Sequence, residues 1–144
     1  MLKLLVGLAV LGFIMFNAGL VGYAYYTNSK VQSSFDGLVN SKMAHASAAD
    51  VKQRMYELFS VQYLDRDDLP QAFFENLNIH ATGDMLEISS SFDETIWPFG
   101  KVEAVDADGA YDAAALSGMD VLRAKTRIDL VFKPYAISAA DPSQ

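Results

Sequence analysis

The sequence predicts an α+β chain. An N-terminal transmembrane helix is followed by a small domain in which a helix packs on a three- to four-stranded antiparallel sheet. Three observations carry this. Residues 4–26 hold no charged side chain. Between Val31 and Phe59 the apolar residues recur every three or four positions, which is the helical period. From Leu77 onward they alternate with polar residues, as in strands with one wet face.

The uncharged run of 23 residues reaches about 34 Å as a helix, against a hydrocarbon core of about 30 Å. A domain this small rarely hides so long an apolar helix. Gly22-Tyr23-Ala24 offers a small-x-small cleavage site, but a secretory h-region is only about 7–15 residues long, and only Lys3 charges the segment before the run. A retained anchor over residues 1–27 is therefore expected. Tyr23, Tyr25 and Tyr26 cluster at its C-terminal end, where amphipathic rings suit a membrane–water boundary. Lys30 and Lys42 follow on that flank, so the positive-inside signal is weak. The short N-terminal flank favours a single pass with the domain outside the cytoplasm. A bacterial inner membrane with a periplasmic head is the expected location, and the absence of cysteine agrees with it.

Within the run, Leu8, Gly12, Met15, Gly19, Gly22 and Tyr26 fall at four- and three-residue steps along one helical stripe. Ala18 and Gly22 make a small-xxx-small pair, and Asn17 places an amide near mid-membrane. Small residues let a second helix approach closely and a buried amide seeks a partner. Gly12, Met15, Asn17, Ala18, Gly19 and Gly22 are thus the candidate helix–helix contact. The expected partners are membrane lipid and other transmembrane helices, in a homo- or hetero-oligomer.

Residues 28–46 read as an amphipathic helical connector through Val31, Phe35, Leu38, Val39, Met43 and Ala46. The small α+β domain is expected over 47–138, with a flexible tail over 139–144. Ser47-Ala48-Ala49-Asp50 matches a capping box and opens a helix over about Ala48–Phe59, with Val51, Met55, Leu58 and Phe59 inward. Val61–Leu64 reads as a short strand, and Gln71–Glu75 as a helix with Phe73 and Phe74 as core anchors. Leu77–Ala81 and the long alternation Leu86–Ile96 form a hairpin across Thr82-Gly83-Asp84. Val102–Val105 adds a short strand. Asp108 caps an alanine-rich helix over Ala110–Leu116, ended by Gly118. Leu122–Phe132 reads as a last long strand, stopped by Pro134. Arg123, Lys125, Arg127 and Lys133 would share its polar face, as a surface for an acidic partner or anionic lipid, or paired across strands with Glu87 and Asp93.

Composition narrows the chemistry. Lys and Arg number 11 and Asp and Glu 18, a net charge of −7, which argues against nucleic-acid binding. The missing cysteines exclude disulfides, thiolate metal sites and a thiol nucleophile. Two histidines, His45 and His80, do not make a histidine-rich metal site, and His80 falls on the polar side of a strand. The run Asp106–Asp112 fails the EF-hand pattern, because Ala104 and Ala115 stand where ligands belong. Asp65, Asp67 and Asp68 surround Arg66 and read as a solvated turn. No Gly-x-Ser-x-Gly elbow, Gly-x-Gly-x-x-Gly turn or phosphate loop occurs. No catalytic, cofactor-binding or metal-ligating residue is nominated, no cofactor is expected, and the chain reads as a non-enzyme.

The stretches Asp50-Val51-Lys52-Gln53-Arg54-Met55-Tyr56-Glu57-Leu58-Phe59-Ser60-Val61 and Ile96-Trp97-Pro98-Phe99-Gly100-Lys101-Val102, behind an N-terminal span, resemble an uncharacterised proteobacterial family. Its members are short single-span membrane proteins with a small exported domain of unknown function. They show a helix ending in basic-x-Phe-x-Ile/Val and a strand pair closing on Pro-Leu-Phe-Gly. The likeness covers about two-thirds of the chain, with Glu103–Asp120 as an insertion, and brings no catalytic residues. A weaker resemblance is to type IV pilin-like proteins, whose apolar N-terminal helix runs on into a sheet domain. The acidic residue that pilins carry early in that helix is missing here. The glycine-striped span and the exported domain point to a non-enzymatic accessory or structural subunit of a membrane protein complex; the second resemblance implies, as the alternative, a pilin-like or pseudopilin subunit of a filament or secretion system.

Overall fold

The computed structural model describes residues 1–41, Met43 and 45–138. Lys42 and the tail expected over 139–144 lie outside the described residues. The elements are α1 (Leu2–Asn40), α2 (Ala48–Val61), a 3₁₀ turn (Arg66–Asp68), α3 (Gln71–Glu75), β1 (Asn78–Thr82), β2 (Met85–Ser89), β3 (Phe92–Ile96), α4 (Met119–Thr126), β4 (Ile128–Phe132) and β5 (Tyr135–Ile137). The α+β class and the long apolar N-terminal helix are as the sequence predicts. By contacts the chain forms two compact units, one of Met1–Val21 with Thr95–Leu130, the other of Gly22–Glu94 with the residues from Val131 on.

In the unit that begins at Gly22, α1 runs without a break through Asn28 and Ser29 and stops at Asn40, short of the expected 46. It buries Val31, Phe35 and Leu38 completely. The capping box on α2 forms as its spacing requires. The Asp50 amide donates to Ser47 Oγ at 3.2 Å, and the Ser47 amide to the Asp50 carboxylate at 3.3 Å. Val51, Met55 and Phe59 are buried along this helix. A Cβ on Gly37 would meet the end of the Leu58 side chain at 3.4 Å, an ordinary contact distance, so α2 lies close to α1 at this point.

Val61–Leu64 is not a strand. The helix runs to Val61 and closes as a Schellman motif, with Tyr63 N donating to Ser60 O (3.1 Å) and Leu64 N to Phe59 O (3.0 Å). The β-branched and aromatic composition suggested a strand, but Leu64 and Phe59 are both buried, and this closure is what brings Leu64 back to the core. Phe73 on α3 is fully buried, with Phe35, Phe59, Phe74 and Phe92 ring centroids 5.1–6.2 Å away.

The expected hairpin forms, with Thr82 opposite Met85 and Ile79 opposite Ile88. Gly83 at φ 60 supplies the left-handed turn residue. β5 pairs with the free edge of β2, Ala136 opposite Ile88, giving the sheet order β1-β2-β5. The alternation over Leu86–Ile96 is not one strand. Buried Ser90 leaves the ladder, its amide donating to Pro134 O (3.1 Å) and its hydroxyl to Phe73 O (2.6 Å). β3 then pairs with β4 in a separate two-stranded sheet.

In the other unit, Phe13 of α1 packs on Phe99 with centroids 4.9 Å apart, and Ile96, Val102 and Ala124 are buried. Residues 122–126, expected as strand, belong to α4. The period-two reading leaned on Ala124 and Thr126, whose small side chains mark neither period strongly. The helical charge pattern decides it, with Asp120 in the first turn and Arg123 and Lys125 in the last, as the helix dipole favours. The expected helix over Ala110–Leu116 is absent. Instead the Asp106 carboxylate accepts from the amides of Asp108 (3.0 Å) and Ala110 (2.9 Å), a local bonding pattern that competes with helix formation. A single bridge pairs Val105 with Tyr111 where a short strand was expected, and Gly118 precedes α4 rather than ending an earlier helix.

Candidate membrane anchor and partner surfaces

α1 is one helix long and apolar enough to cross a membrane, and none of its apolar window is buried. Leu4, Leu5, Ile14, Met15 and Phe16 are each more than half exposed. Added Cβ atoms at Gly12, Gly19 and Gly22 would meet nothing within 4 Å, so no described residue uses the space these glycines leave. Gly12, Met15, Gly19 and Gly22 share one face, with Ala18 at its edge. Asn17 does not join them, because at about 100° per residue it lies roughly 160° around the helix from Gly19. Its Nδ2 donates to Phe13 O at 2.9 Å, on the side of the Phe13–Phe99 contact, and its buried Oδ1 has no partner among the described residues. Sequence spacing grouped Asn17 with the glycines; helical angle separates it.

The four basic residues do not form a strand face. Arg123 and Lys125 are on α4, Arg127 is its C-cap, and Lys133 follows β4. Their expected partners differ too. Arg123 meets Asp120 (3.1 Å) and Glu103 (3.6 Å), and Arg127 meets Asp129 (3.0 Å); Glu87 and Asp93 are not involved in these pairs. Asp120 also accepts the Glu103 and Ala104 amides at 3.1–3.2 Å. Burial pushes its carboxyl upward, but those amides and the Arg123 guanidinium outweigh this and hold it below the usual carboxylate range. This cluster is a clamp that ties the loop after β3 to α4. Among the described residues no group of three or more His, Asp or Glu side chains is placed to hold a metal.

Sequence reasoning passed over Glu94. It lines a small cavity of about 30 Å³ with Tyr23, Ala24, Thr27, Asp68, Phe92 and Phe132, and burial raises its carboxyl above the ordinary value. A carboxyl raised on folding contributes stability that is fully present below its unfolded value and lost as pH rises through the folded one. Glu94→Gln is therefore expected to melt at a higher temperature than the parent at pH 7, the gap closing near pH 4, as followed by circular dichroism in detergent micelles. An unchanged or lowered melting temperature at pH 7 would show that the ionised form is not penalised. Comparison with protein-family profiles, with curated proteins and with solved structures returned no match for this chain.

Proposed function

We propose that the chain is a membrane-anchored, non-enzymatic accessory or structural subunit of a membrane protein complex, held by α1 with its folded head on the periplasmic side of a bacterial inner membrane. The observation that carries this is the unburied first half of α1, with glycines whose vacated space no described residue fills. A soluble chain would leave that surface in water at a cost of about 25 cal/mol per Å². Lipid removes the cost, and a second helix on the glycine face adds close packing. Gentle solubilisation tests the reading: proteins recovered with the chain at fixed stoichiometry support it, and a lone monomer from native membranes overturns it.

The reading has a structural consequence. Phe13 lies near the middle of the uncharged run, and Phe99 touches it while accepting a hydrogen bond from Arg123 Nε at its carbonyl (3.2 Å). An arginine at the bilayer centre costs about 2.5–3.5 kcal/mol or more, so Phe99 and Arg123 cannot follow Phe13 into lipid. Insertion must part the two rings. In a cysteine-free chain a Phe13→Cys, Phe99→Cys pair reports this directly. Oxidative cross-linking is expected to be absent in membranes; cross-linking there would mean that residues 4–26 do not span with the head outside.

A pilin-like reading is favoured by one feature, the unbroken passage of α1 from its exposed apolar half into the half that packs on the head. Fibres containing an N-terminally trimmed, N-methylated chain would select it over the accessory-subunit reading.

A further inference from the structure

The end of α2 lies against α1 just beyond the uncharged run. Gln62 donates to Ser34 Oγ at 2.8 Å, and Lys30 Nζ lies 3.5 Å from the Tyr63 carbonyl oxygen and 4.7 Å from the Tyr26 ring centroid. Tyr26, Ser29, Lys30, Ser33, Gln62 and Tyr63 line an open groove of about 360 Å³, and none of the six is acidic. Two large side chains stand out from this turn, Val61 at 74% exposure and Tyr63 at 88%. Tyr63 holds φ 52, the only positive φ outside glycine among the described residues. It occupies the position after a helix that glycine usually fills, and a non-glycine residue there stores strain. The closure itself uses backbone groups and buried Leu64 and Phe59, and the Tyr63 ring stands outside it.

We infer that Val61–Tyr63, with Tyr26 and Lys30, forms a second contact with the bilayer, seated among phospholipid headgroups. This rests on the reading of α1 as a membrane anchor. Residue 30 lies about 6 Å beyond residue 26 along the helix, and the headgroup layer adds roughly 5–8 Å to each side of the hydrocarbon. Lys30 therefore reaches phosphate depth when Tyr26 sits at the boundary. The hydroxyls of Ser29 and Ser33 add donors for phosphate oxygens. Tyrosine, with an apolar body and a polar tip, suits this layer, and Val61 supplies apolar surface to it. The contact would fix the tilt of the head on the membrane.

The test uses the full chain in vesicles of phosphatidylethanolamine and phosphatidylglycerol, with integration first verified by resistance to carbonate extraction. A nitroxide on Val61→Cys is compared with one on Ala49→Cys, at the far end of α2 and about 18 Å away along the helix. Collision with a water-soluble nickel chelate is expected to be several-fold lower at 61 than at 49. Adding Lys30→Gln with Tyr63→Gly should raise it to the level at 49. Because glycine suits the backbone at 63, loss of the fold does not explain that change, and an unaltered melting temperature verifies it. Equal accessibility at 61 and 49 in an integrated chain overturns the inference, as does shielding that survives the double substitution. A chain that carbonate extracts overturns the anchor reading as well.

Discussion

Replacing Phe73 by alanine is expected to cost about 4 kcal/mol of stability, within the range of about 3–5 for a buried phenylalanine and a large share of the 5–15 kcal/mol typical of a domain. Phe73 is fully buried, and beside the adjoining Phe74 its neighbours Phe35, Phe59 and Phe92 come from three other stretches of the chain. Truncation leaves a cavity that rings held by α1, α2 and β3 cannot collapse to fill. It also loosens α3, whose Phe73 carbonyl accepts the Ser90 hydroxyl at the point where β2 ends. Phe74 provides the contrast, since it is only half-buried and stacks with Tyr56 at 6.4 Å; alanine there should cost less than half as much. Denaturant unfolding of the detergent-solubilised chain, followed by near-ultraviolet circular dichroism, measures both. A parent-like midpoint for Phe73→Ala would show that the aromatic cluster is not the centre of the head.

What the sequence disclosed, and what it hid, follows from how local each signal is. The Ser47–Asp50 capping box and the Thr82–Met85 turn rest on residues within a few positions of one another, and both form at the expected places. The split of the long alternation at Ser90 depends on Pro134 and Phe73, far away in sequence, so nothing local marks it. The α4 segment misled because Arg123, Lys125 and Arg127 alternate with small residues, a pattern that strand and short helix share when few large apolar side chains anchor either period. The glycine stripe was legible because a helix of known pitch fixes angles from spacing alone, and the same arithmetic removes Asn17 from it. Tyr63 was illegible: left-handed residues are usually found by their glycines, and here a tyrosine takes the place.

The glycine stripe carries the second large expectation. Gly19→Leu combined with Gly22→Leu is expected to weaken helix–helix association by about 2 kcal/mol or more, roughly 30-fold in dissociation constant. Two leucines on the contact face hold the backbones apart and remove the packing that small residues permit. The fold of the single chain offers no rival explanation. Added Cβ atoms at both positions point into open space, both glycines lie within a continuous helix, and leucine is a better helix former than glycine by nearly 1 kcal/mol. The double variant should therefore insert and melt like the parent while its complex falls apart on gentle solubilisation. Resonance energy transfer between labelled chains in vesicles separates self-association from binding to another protein, because only self-association is present in a purified sample. If the complex persists at the parent's stability, the glycine face is ordinary lipid-facing surface and the partner is held by the folded head instead.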